Sequence, residues 1–327
     1  MNSPNEVDTP AHLLHELARE SLVERRRARR WSIFFRSITL LFLVGVAFFV
    51  LRGERGASLN TSEAASQQHT ALINISGVIA PDTQASIEPV RRALDRAFAN
   101  PETAGIVLQI NSPGGSPVQS GLLYDYIVAQ RELHPDVPVH AVLGDIAASG
   151  GYYIAAAAQN IYANRASIVG SIGVRLDSFG AVDAIERLGI ERRLLTAGDH
   201  KGLLDPFEPV DDVAVARLQS MLDNVHTQFI SAVTTGRGTR LADDPTLFSG
   251  LIWSGEEAMA NGLIDALAST QEVASDVIGA ERVVNYTEQE DPLTRIRREL
   301  GIYLTALANN VINALSNEQG MGKMQIR

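Results

Sequence analysis

Strand-like and helix-like apolar patterns alternate along the middle of the chain, and this alternation limits the possible folds more than any other feature. Short apolar runs typical of buried strands occur at Ala71 to Gly77, Gly105 to Asn111 and Val137 to Leu143. Apolar residues recur at helical spacing between these runs. The helical positions are Ile87, Val90, Leu94 and Ala97, followed by Val118, Leu122 and Tyr126. Strands alternating with helices predict an α/β fold with a mostly parallel sheet.

The same alternation continues to about residue 286. A segment of small residues, Ala147 to Ala158, precedes short strand patterns near Ile161 and Val169, and a further strand pattern spans Arg193 to Thr196. A long amphipathic helix follows, with Leu218, Leu222, Val225, Phe229 and Val233 on one face. No long internal repeat interrupts this order, so we expect one globular domain over residues 71–286.

The first seventy residues predict a membrane anchor. Residues 1–30 form a polar tail that ends in an arginine cluster, and the run from Ser37 to Leu51 contains no charged residue. With Arg36 near one end, residues 31–52 approach the roughly 20 residues that cross a bilayer. A cleaved signal peptide is the alternative, but no convincing cleavage site follows Leu51. Residues 53–70 have the composition of a flexible linker.

The arginine cluster also predicts the orientation of the anchor. Basic residues stay on the cytoplasmic side, so the N-terminus is expected inside and the domain outside the bacterial inner membrane, in the periplasm or beyond. After the domain, residues 287–316 form a candidate helical extension, with Ile296, Leu300 and Tyr303 on one face. Core packing, subunit packing and peripheral membrane contact are all open for it. Residues 317–327 are expected to be disordered.

Composition excludes several classes of function. The net charge of −10 argues against nucleic-acid binding, because phosphate contacts need a basic surface. The chain has no cysteine, which excludes disulfides, thiolate metal sites and cysteine nucleophiles. Its histidines form no metal-spaced pair on one helix face in a catalytic context, so we expect no metal and no cofactor.

The distribution of lysine singles out one residue. Lys and Arg together number 28, yet only Lys201 and Lys323 are lysines. Lys201 is therefore the only lysine in the expected domain. Arginine remains charged in proteins, whereas burial can lower the pKa of a lysine by several units and leave it neutral. A lysine kept among arginines suggests a role that requires losing a proton.

Three segments carry residues suited to acyl-transfer chemistry. Asn111 to Ser116 (NSPGGS) has glycines at a strand end, which suits an oxyanion hole or simply a tight turn. Asp145 to Tyr153 places Ser149 among small residues at a helix start, where its own N–H or that of Gly150 could bind an oxyanion, although the Gly-x-Ser-x-Gly elbow is absent. Gly198 to Phe207 is a loop that holds Lys201.

These three segments, in this order and spacing, resemble the signal peptide peptidase A family of Ser/Lys serine proteases. The resemblance runs from about Ala71 to Ala268 and includes Val169 to Val174 (VGSIGV) and Trp253 to Asp265 (WSGEEAMANGLID). It implies a fold of repeated β-β-α units, like those of the Clp protease and of crotonase. It also implies a substrate class, namely cleaved signal peptides and other extended envelope peptides.

The resemblance assigns roles residue by residue. Ser149 would be the nucleophile and Lys201 the general base, Gly115 and Gly150 would supply oxyanion N–H groups, and Ser171 would orient the lysine. A single catalytic region resembles the short form of the family, which implies a homo-oligomeric ring, with an octamer as the expected size and the dyad completed between neighbours. Asp145 and Ile146 depart from the family pattern near the nucleophile.

Three other functions compete with this interpretation. His200 could form a triad with Ser149 and either Asp145 or Asp199, but adjacent residues on an extended segment point in opposite directions, so His200 and Lys201 would not both face the serine. A crotonase-like acyl-CoA enzyme would explain the glycines of the first segment but not Ser149 or Lys201. A catalytically inactive membrane scaffold is the third alternative, and the intact Ser149 and Lys201 speak against it.

Overall fold

The computed structural model describes residues 31, 34, 36–41, 68–198 and 200–288. The chain divides into two compact units, residues 1–67 and residues 68–327. In the first unit the described residues are helical, and Trp31 meets Phe34 edge to face with ring centroids 5.8 Å apart. Most of the anchor predicted at 31–52 and nearly all of the extension predicted at 287–316 lie outside the described residues.

Within the described part of the chain, no helix is both long enough and apolar enough to cross a membrane.

Three long parallel strands form the centre of the second unit. Strand β1 (His69–Ser76) pairs with β2 (Thr103–Ser112), which pairs with β3 (Val139–Ala148), so the α/β fold with mostly parallel pairing is confirmed. Helix α1 (Ile87–Ala99) connects the first two strands and helix α2 (Pro117–Leu133) connects the second pair. The short helix α3 (Gly150–Ala155) follows β3 directly.

Five shorter strands extend this sheet. Strand β3 pairs along its first half with β4 (Asn160–Ala163) and near its end with β5 (Ile168–Gly170). Strand β6 (Ile252–Ser254) lies antiparallel to β5, β7 (Ala266–Leu267) pairs with β4, and β8 (Val283–Asn285) pairs with β1. The sheet order is β6-β5-β3-β2-β1-β8, with β4 and β7 off this path.

The remaining helices follow β5. They are α4 (Val182–Arg187), the long α5 (Asp212–Arg237), α6 (Gly255–Ala260) and α7 (Thr270–Glu272). Helix α7 continues as a π-helical turn, Val273–Ile278, and two 3₁₀ turns, Gly238–Arg240 and Pro245–Phe248, follow α5. A capping box, in which Ser254 and Glu257 each accept from the other's backbone N–H, fixes the start of α6.

The two faces of the sheet carry two separate cores. Because successive strand side chains point to opposite faces, Ile73, Leu108 and Leu143 pack with the helices in the larger core, whereas Val107 and Val142 face the other side. Tyr162 of β4 lies on the same face, and Val273 of the π-helical turn packs against it.

The helix predicted around Leu122 exists, but its predicted buried face is wrong. Val118 and Leu122 are exposed, and the buried residues of α2 are Ser120, Leu123, Tyr124 and Ile127. Leu123, Tyr124 and Ile127 join the larger core, and Ser120 at the start of the helix is buried beside Gly150. The predicted faces of α1 and of the C-terminal half of α5 are confirmed, since Val90, Leu94, Phe229 and Val233 are buried.

A buried ion pair joins the end of α5 to the segment before β7. Arg237, which is 1% exposed, donates two hydrogen bonds to the carboxylate of Asp265, at 2.7 Å and 3.0 Å. Burial opposes the charge of Asp265, but hydrogen bonds from Arg237 and from the N–H of Ile161, together with nearby Arg240, outweigh it and lower the pKa of that carboxyl. Because the fold lowers the pKa of Asp265, the ionised carboxylate contributes stability that is lost when it is protonated.

The segment between β5 and α5 is mostly exposed. The strand predicted at Arg193 to Thr196 is wrong, because these residues have no regular secondary structure and are exposed. A strand needs a hydrogen-bonded neighbour, and the described strands pair elsewhere. Several large apolar side chains of this segment lie in solvent, among them Phe179, Leu188 and Leu195.

Candidate active site

The candidate site lies where the central parallel strands end. Strands β2 and β3 pair at Ser112 and Ala147, so the loop after β2 and the turn after β3 emerge side by side. Loops at the carboxyl ends of parallel strands are the usual position of ligand sites in open α/β sheets. This edge brings together the NSPGGS segment and Ser149, two of the three segments that the sequence singled out.

Ser149 occupies a strained turn between β3 and α3. Its backbone has φ 52° and ψ −124°, in a region that non-glycine residues rarely adopt. Its N–H donates to the carbonyl oxygen of Gly170 at 2.8 Å, which holds the turn against β5. The hydroxyl of Ser149 has no hydrogen-bond partner among the described residues. The arrangement is a sharp strand–serine–helix turn, of the kind that presents a nucleophile in other folds, formed without the Gly-x-Ser-x-Gly sequence.

Glycines make this turn possible because neighbouring backbone passes too close for a side chain. A Cβ on Gly114 would lie 2.7 Å from the Cβ of Ser149, and a Cβ on Gly151 would lie 2.9 Å from the carbonyl oxygen of Ser112. Gly115 has φ 150°, and a Cβ there would lie 2.1 Å from the carbonyl oxygen of Ile79. Gly114, Gly115 and Gly151 are thus required because neighbouring atoms leave no room for a Cβ at these positions.

Two backbone N–H groups beside Ser149 are free to bind a ligand. Among the described residues, neither Gly115 N–H nor Gly150 N–H donates to an acceptor. The two groups are close together, since a Cβ placed on Gly150 would lie 3.4 Å from the nitrogen of Gly115. Of the two oxyanion donors suggested near the nucleophile, only Gly150 N–H is available, because that of Ser149 is already bonded. A pair of free N–H groups next to a nucleophile can stabilise an oxyanion.

Ser171 follows β5 and faces the same cleft. Like Ser149 it has a positive φ, 51°, and its N–H donates to the carbonyl oxygen of Leu251 at 2.7 Å. It lines the cleft together with Ser149, Gly150 and Gly115. The structure therefore brings four of the five predicted site residues together.

The cleft has a volume of about 690 Å³ and two kinds of wall. Loop residues of the strand ends form a polar wall, and Tyr153, Val225 and Phe229 form an apolar one. The rings of Tyr153 and Phe229 stack with centroids 4.7 Å apart. Burial, with smaller effects from nearby Asp125 and Tyr124, raises the pKa of Tyr153, so its phenol stays protonated at neutral pH.

Lys201 lies outside this cleft. It is exposed on a turn within the segment that precedes α5, and it is absent from the residues that line the cleft. The lining residues include no Lys, His, Asp or Glu, and the charged one among them, Arg175, cannot act as a base. Within the described part of the chain, the cleft thus offers a serine hydroxyl and two free backbone N–H groups, but its lining includes no Lys, His, Asp or Glu that could serve as a base.

His200 does not form the alternative triad either. Its side chain is 57% exposed, its Nδ1 lies 3.8 Å from the carboxylate of Asp211, and it lines a different, smaller cavity. Residues 200 to 204 form a turn, so the extended geometry assumed for His200 and Lys201 is wrong. Asp145 is exposed beside Asn111, and neither it nor Ile146 lines the cleft.

Four residues that line the cleft were not predicted as site residues from the sequence, although two of them were predicted to lie on the apolar face of a helix. Val225 and Phe229 were assigned to the buried face of a helix by their spacing, and that face continues into the cleft wall. Tyr153 and Ser120 carried no signal beyond their neighbours. Within residues 68–198 and 200–288, no three His, Asp or Glu side chains cluster as metal ligands.

Comparison with known proteins agrees with this geometry. Residues 131–282 match the model of peptidase family S49, and this range contains Ser149, Ser171 and Lys201. A candidate protease from Synechocystis sp. is 28% identical over 76% of this chain and 90% of its own length. The chloroplastic serine protease SPPA of Arabidopsis thaliana is 30% identical over 49% of this chain and 24% of its own length.

A third relative carries a different name. The Na(+)/H(+) antiporter NhaA of Brucella melitensis is 45% identical over 53% of this chain, and the match spans only 24% of that protein. The matched region is therefore a quarter of that protein's length. The region that matches the family model holds Ser149 and Ser171, so this part of the chain is similar to peptidase family S49, and the chain is similar to relatives named as proteases.

Proposed function

We propose that this chain is a serine endopeptidase in which Ser149 is the nucleophile and Lys201 the general base. The observation that carries the proposal is the strained turn at Ser149, where a hydroxyl with no partner lies beside the free N–H groups of Gly115 and Gly150. Strain of this kind persists at functional sites because the surrounding structure enforces it.

The proposed reaction follows from the positions of these groups. The Oγ of Ser149 attacks the peptide carbonyl carbon while its proton passes to the neutral amine of Lys201. The carbonyl oxygen becomes an oxyanion and accepts from Gly115 N–H and Gly150 N–H. Lys201 then returns the proton to the leaving amine as the peptide bond breaks, and water, deprotonated by Lys201, hydrolyses the acyl-enzyme. Ser171 would donate to or accept from the lysine and orient it.

We further propose that Lys201 reaches Ser149 of a neighbouring copy. The cleft of one chain lacks a base, while Lys201 is exposed on a segment with exposed Phe179, Leu188 and Leu195. Exposed apolar side chains in one segment are typical of an interaction surface. A homo-oligomeric ring, with an octamer as the expected size, would bury them and complete each site.

The remaining elements of the proposal concern place and substrate. A helix over residues 31–52 would anchor the chain in the bacterial inner membrane with the domain on the periplasmic or outer face. Cleaved signal peptides and other extended peptides would be the substrates, since the cleft has an apolar wall. The arrangement of the strands would be that of the Clp protease and crotonase, and β3, which is shared between β4 and β5, supports it.

The test of the dyad compares wild type with Lys201→Arg, using the full chain in detergent and a fluorogenic peptide. Arginine keeps the charge but cannot accept the proton, so hydrolysis should fall at least about 10²-fold, the lower range for loss of general-base catalysis. Lys323→Arg is the matched control, because it makes the same change at the other lysine of the sequence. Hydrolysis by Lys201→Arg at the wild-type rate would refute the role of Lys201.

Two further measurements separate the alternatives. Labelling of wild type, but not Ser149→Ala, by a fluorophosphonate probe would exclude an inactive scaffold. Mixing Ser149→Ala with Lys201→Met chains, each inactive alone, should restore activity if the dyad is completed between copies. Mixed oligomers that form but stay inactive would show that each chain completes its own site.

A further inference from the structure

A histidine outside the predicted site contacts the cleft wall from behind. The Nε2 of His226, on α5, lies 3.1 Å from the carbonyl oxygen of Ile172. A carbonyl oxygen can only accept, so this ring nitrogen must carry the proton and donate. His226 is partly buried, and Val225 and Phe229 of the same helix line the cleft directly. The histidine thus ties the helix of the apolar wall to the segment that follows β5.

The segment that His226 holds is the one that contains Ser171. Its residue 171 has a positive φ, and residue 172 is fully buried. Three hydrogen bonds fix this stretch: Ser149 N–H to Gly170 O, Ser171 N–H to Leu251 O, and His226 Nε2–H to Ile172 O. The first two are made by backbone. The third is the one that depends on the identity of a side chain.

We propose that His226 is a positioning residue that holds Ser171 and the adjoining cleft wall in their active geometry. A non-glycine residue with positive φ keeps that conformation only while its surroundings enforce it. Without the bond to Ile172 O, the buried carbonyl loses its partner and the turn at Ser171 can relax. The wall would then shift relative to Ser149, whose own N–H is bonded to the neighbouring Gly170. This inference rests on the proposed function only for its catalytic consequence.

The test replaces the donor and then restores it. His226→Leu substitutes an apolar side chain of similar bulk that has no N–H to donate, whereas His226→Gln can place an amide N–H near the same position. With activity counted per fluorophosphonate-titrated serine, kcat should fall about 10- to 100-fold in His226→Leu, the range for a small displacement of a positioned group. His226→Gln should stay within about threefold of wild type by the same principle.

Two controls make the comparison specific. Gln228→Leu introduces the same apolar side chain two residues along α5 at an exposed position, and it should leave kcat unchanged. His226→Asn carries an amide on a shorter stem that cannot span the distance, so it should share the loss of His226→Leu. If His226→Leu does not fold, the comparison of His226→Asn with His226→Gln decides the question in its place.

Hydrogen–deuterium exchange of the Ser171 amide gives a readout that does not require activity. It should accelerate in His226→Leu and remain slow in His226→Gln and Gln228→Leu. A wild-type kcat in His226→Leu, an equal loss in His226→Gln, or unchanged exchange would overturn the positioning role. Accelerated exchange in a protein whose wild type neither cleaves peptides nor reacts with the probe would support the positioning role and refute the proposed function instead.

Discussion

Gly150 and Ser120 touch across the site, and their coupling can be predicted from the structure. A Cβ added to Gly150 would lie 2.4 Å from the Oγ of Ser120, well inside normal contact. Ser120 is fully buried, and its hydroxyl donates to the carbonyl oxygen of Ser116 at 3.0 Å. Gly150→Ala therefore forces either Ser120 to rotate away or the N–H of residue 150 to move out of the proposed oxyanion site.

The two routes have different costs. Rotation of Ser120 loses one hydrogen bond, worth about 1 kcal/mol, and demands an unfavourable rotamer, worth about 0.5–1.5 kcal/mol. Displacement of an oxyanion donor instead costs about 2.7–4 kcal/mol of transition-state stabilisation. Because rotation is the cheaper route but Ser120 is fully buried, we expect both to contribute. Gly150→Ala should lower the free energy of unfolding by about 2 kcal/mol and lower kcat about 10- to 100-fold.

Truncating the serine should remove the clash. In a Ser120→Ala background the next atoms around the new Cβ are the nitrogen of Gly115 and a methyl of Ile79, both at 3.4 Å, which is ordinary contact. Gly150→Ala should then change little beyond the loss of about 1 kcal/mol that Ser120→Ala causes alone. Peptide hydrolysis and urea denaturation of the four proteins give a double-mutant cycle with a coupling energy of about 1.5–2 kcal/mol.

The cycle can refute the reasoning in two ways. Additive effects on stability would mean that the two side chains do not meet. Restored stability without restored hydrolysis would mean that the alanine, rather than its clash with Ser120, displaces the N–H of residue 150. In that case the oxyanion role of Gly150 would require another test.

Three further predictions follow from the same structure. Gly115→Ala should abolish hydrolysis, because its Cβ would meet the backbone carbonyl oxygen of Ile79. Since that atom belongs to the backbone, no truncation of a neighbouring side chain should restore activity, and a screen of such second-site variants checks this. The free energy of unfolding of Ser149→Gly should be about 1 kcal/mol higher than that of Ser149→Ala, because glycine tolerates the positive φ. Thermal denaturation of these two inactive variants measures the difference. Asp265→Asn should cost about 3 kcal/mol at pH 7. Because the lowered pKa of Asp265 gives stability that is present above about pH 4 and lost as pH falls below it, the variant should also lose less stability on acidification, as urea denaturation from pH 7 to 2 would show.

The order and type of the central elements could be predicted because they depend on periodicity. Strands buried on both faces give continuous apolar runs, and helices on the sheet give a repeat of about 3.6 residues. The buried face of a helix was harder to predict where the helix starts at a loop of the site. In α2 the regular spacing of Val118 and Leu122 pointed to the exposed side, whereas Ser120, a polar residue, is fully buried against the site.

The conformation of Ser149 could not be predicted from a motif. A sharp strand–helix turn requires small residues two positions before and two after the nucleophile, and Ala147 and Gly151 satisfy that requirement without the usual glycine pair. The role of Gly170, whose carbonyl fixes the turn, depends on β5 lying beside the end of β3. That pairing is a tertiary contact, and no local pattern specifies it.

The exposed position of Lys201 in one chain and its isolation among arginines in the sequence can be explained together. Composition singled out the lysine as a candidate for a role that requires losing a proton, and such a role needs a lysine that is shielded from water. In one chain Lys201 is exposed, and the residues described as lining the cleft include no Lys, His, Asp or Glu, although the proposed reaction requires a base there. Around the lysine, Leu188 and Leu195 are exposed at 73% and 99%. A contact between copies that buries those side chains would also remove water from around Lys201. Assembly would then activate the proposed base at the same time.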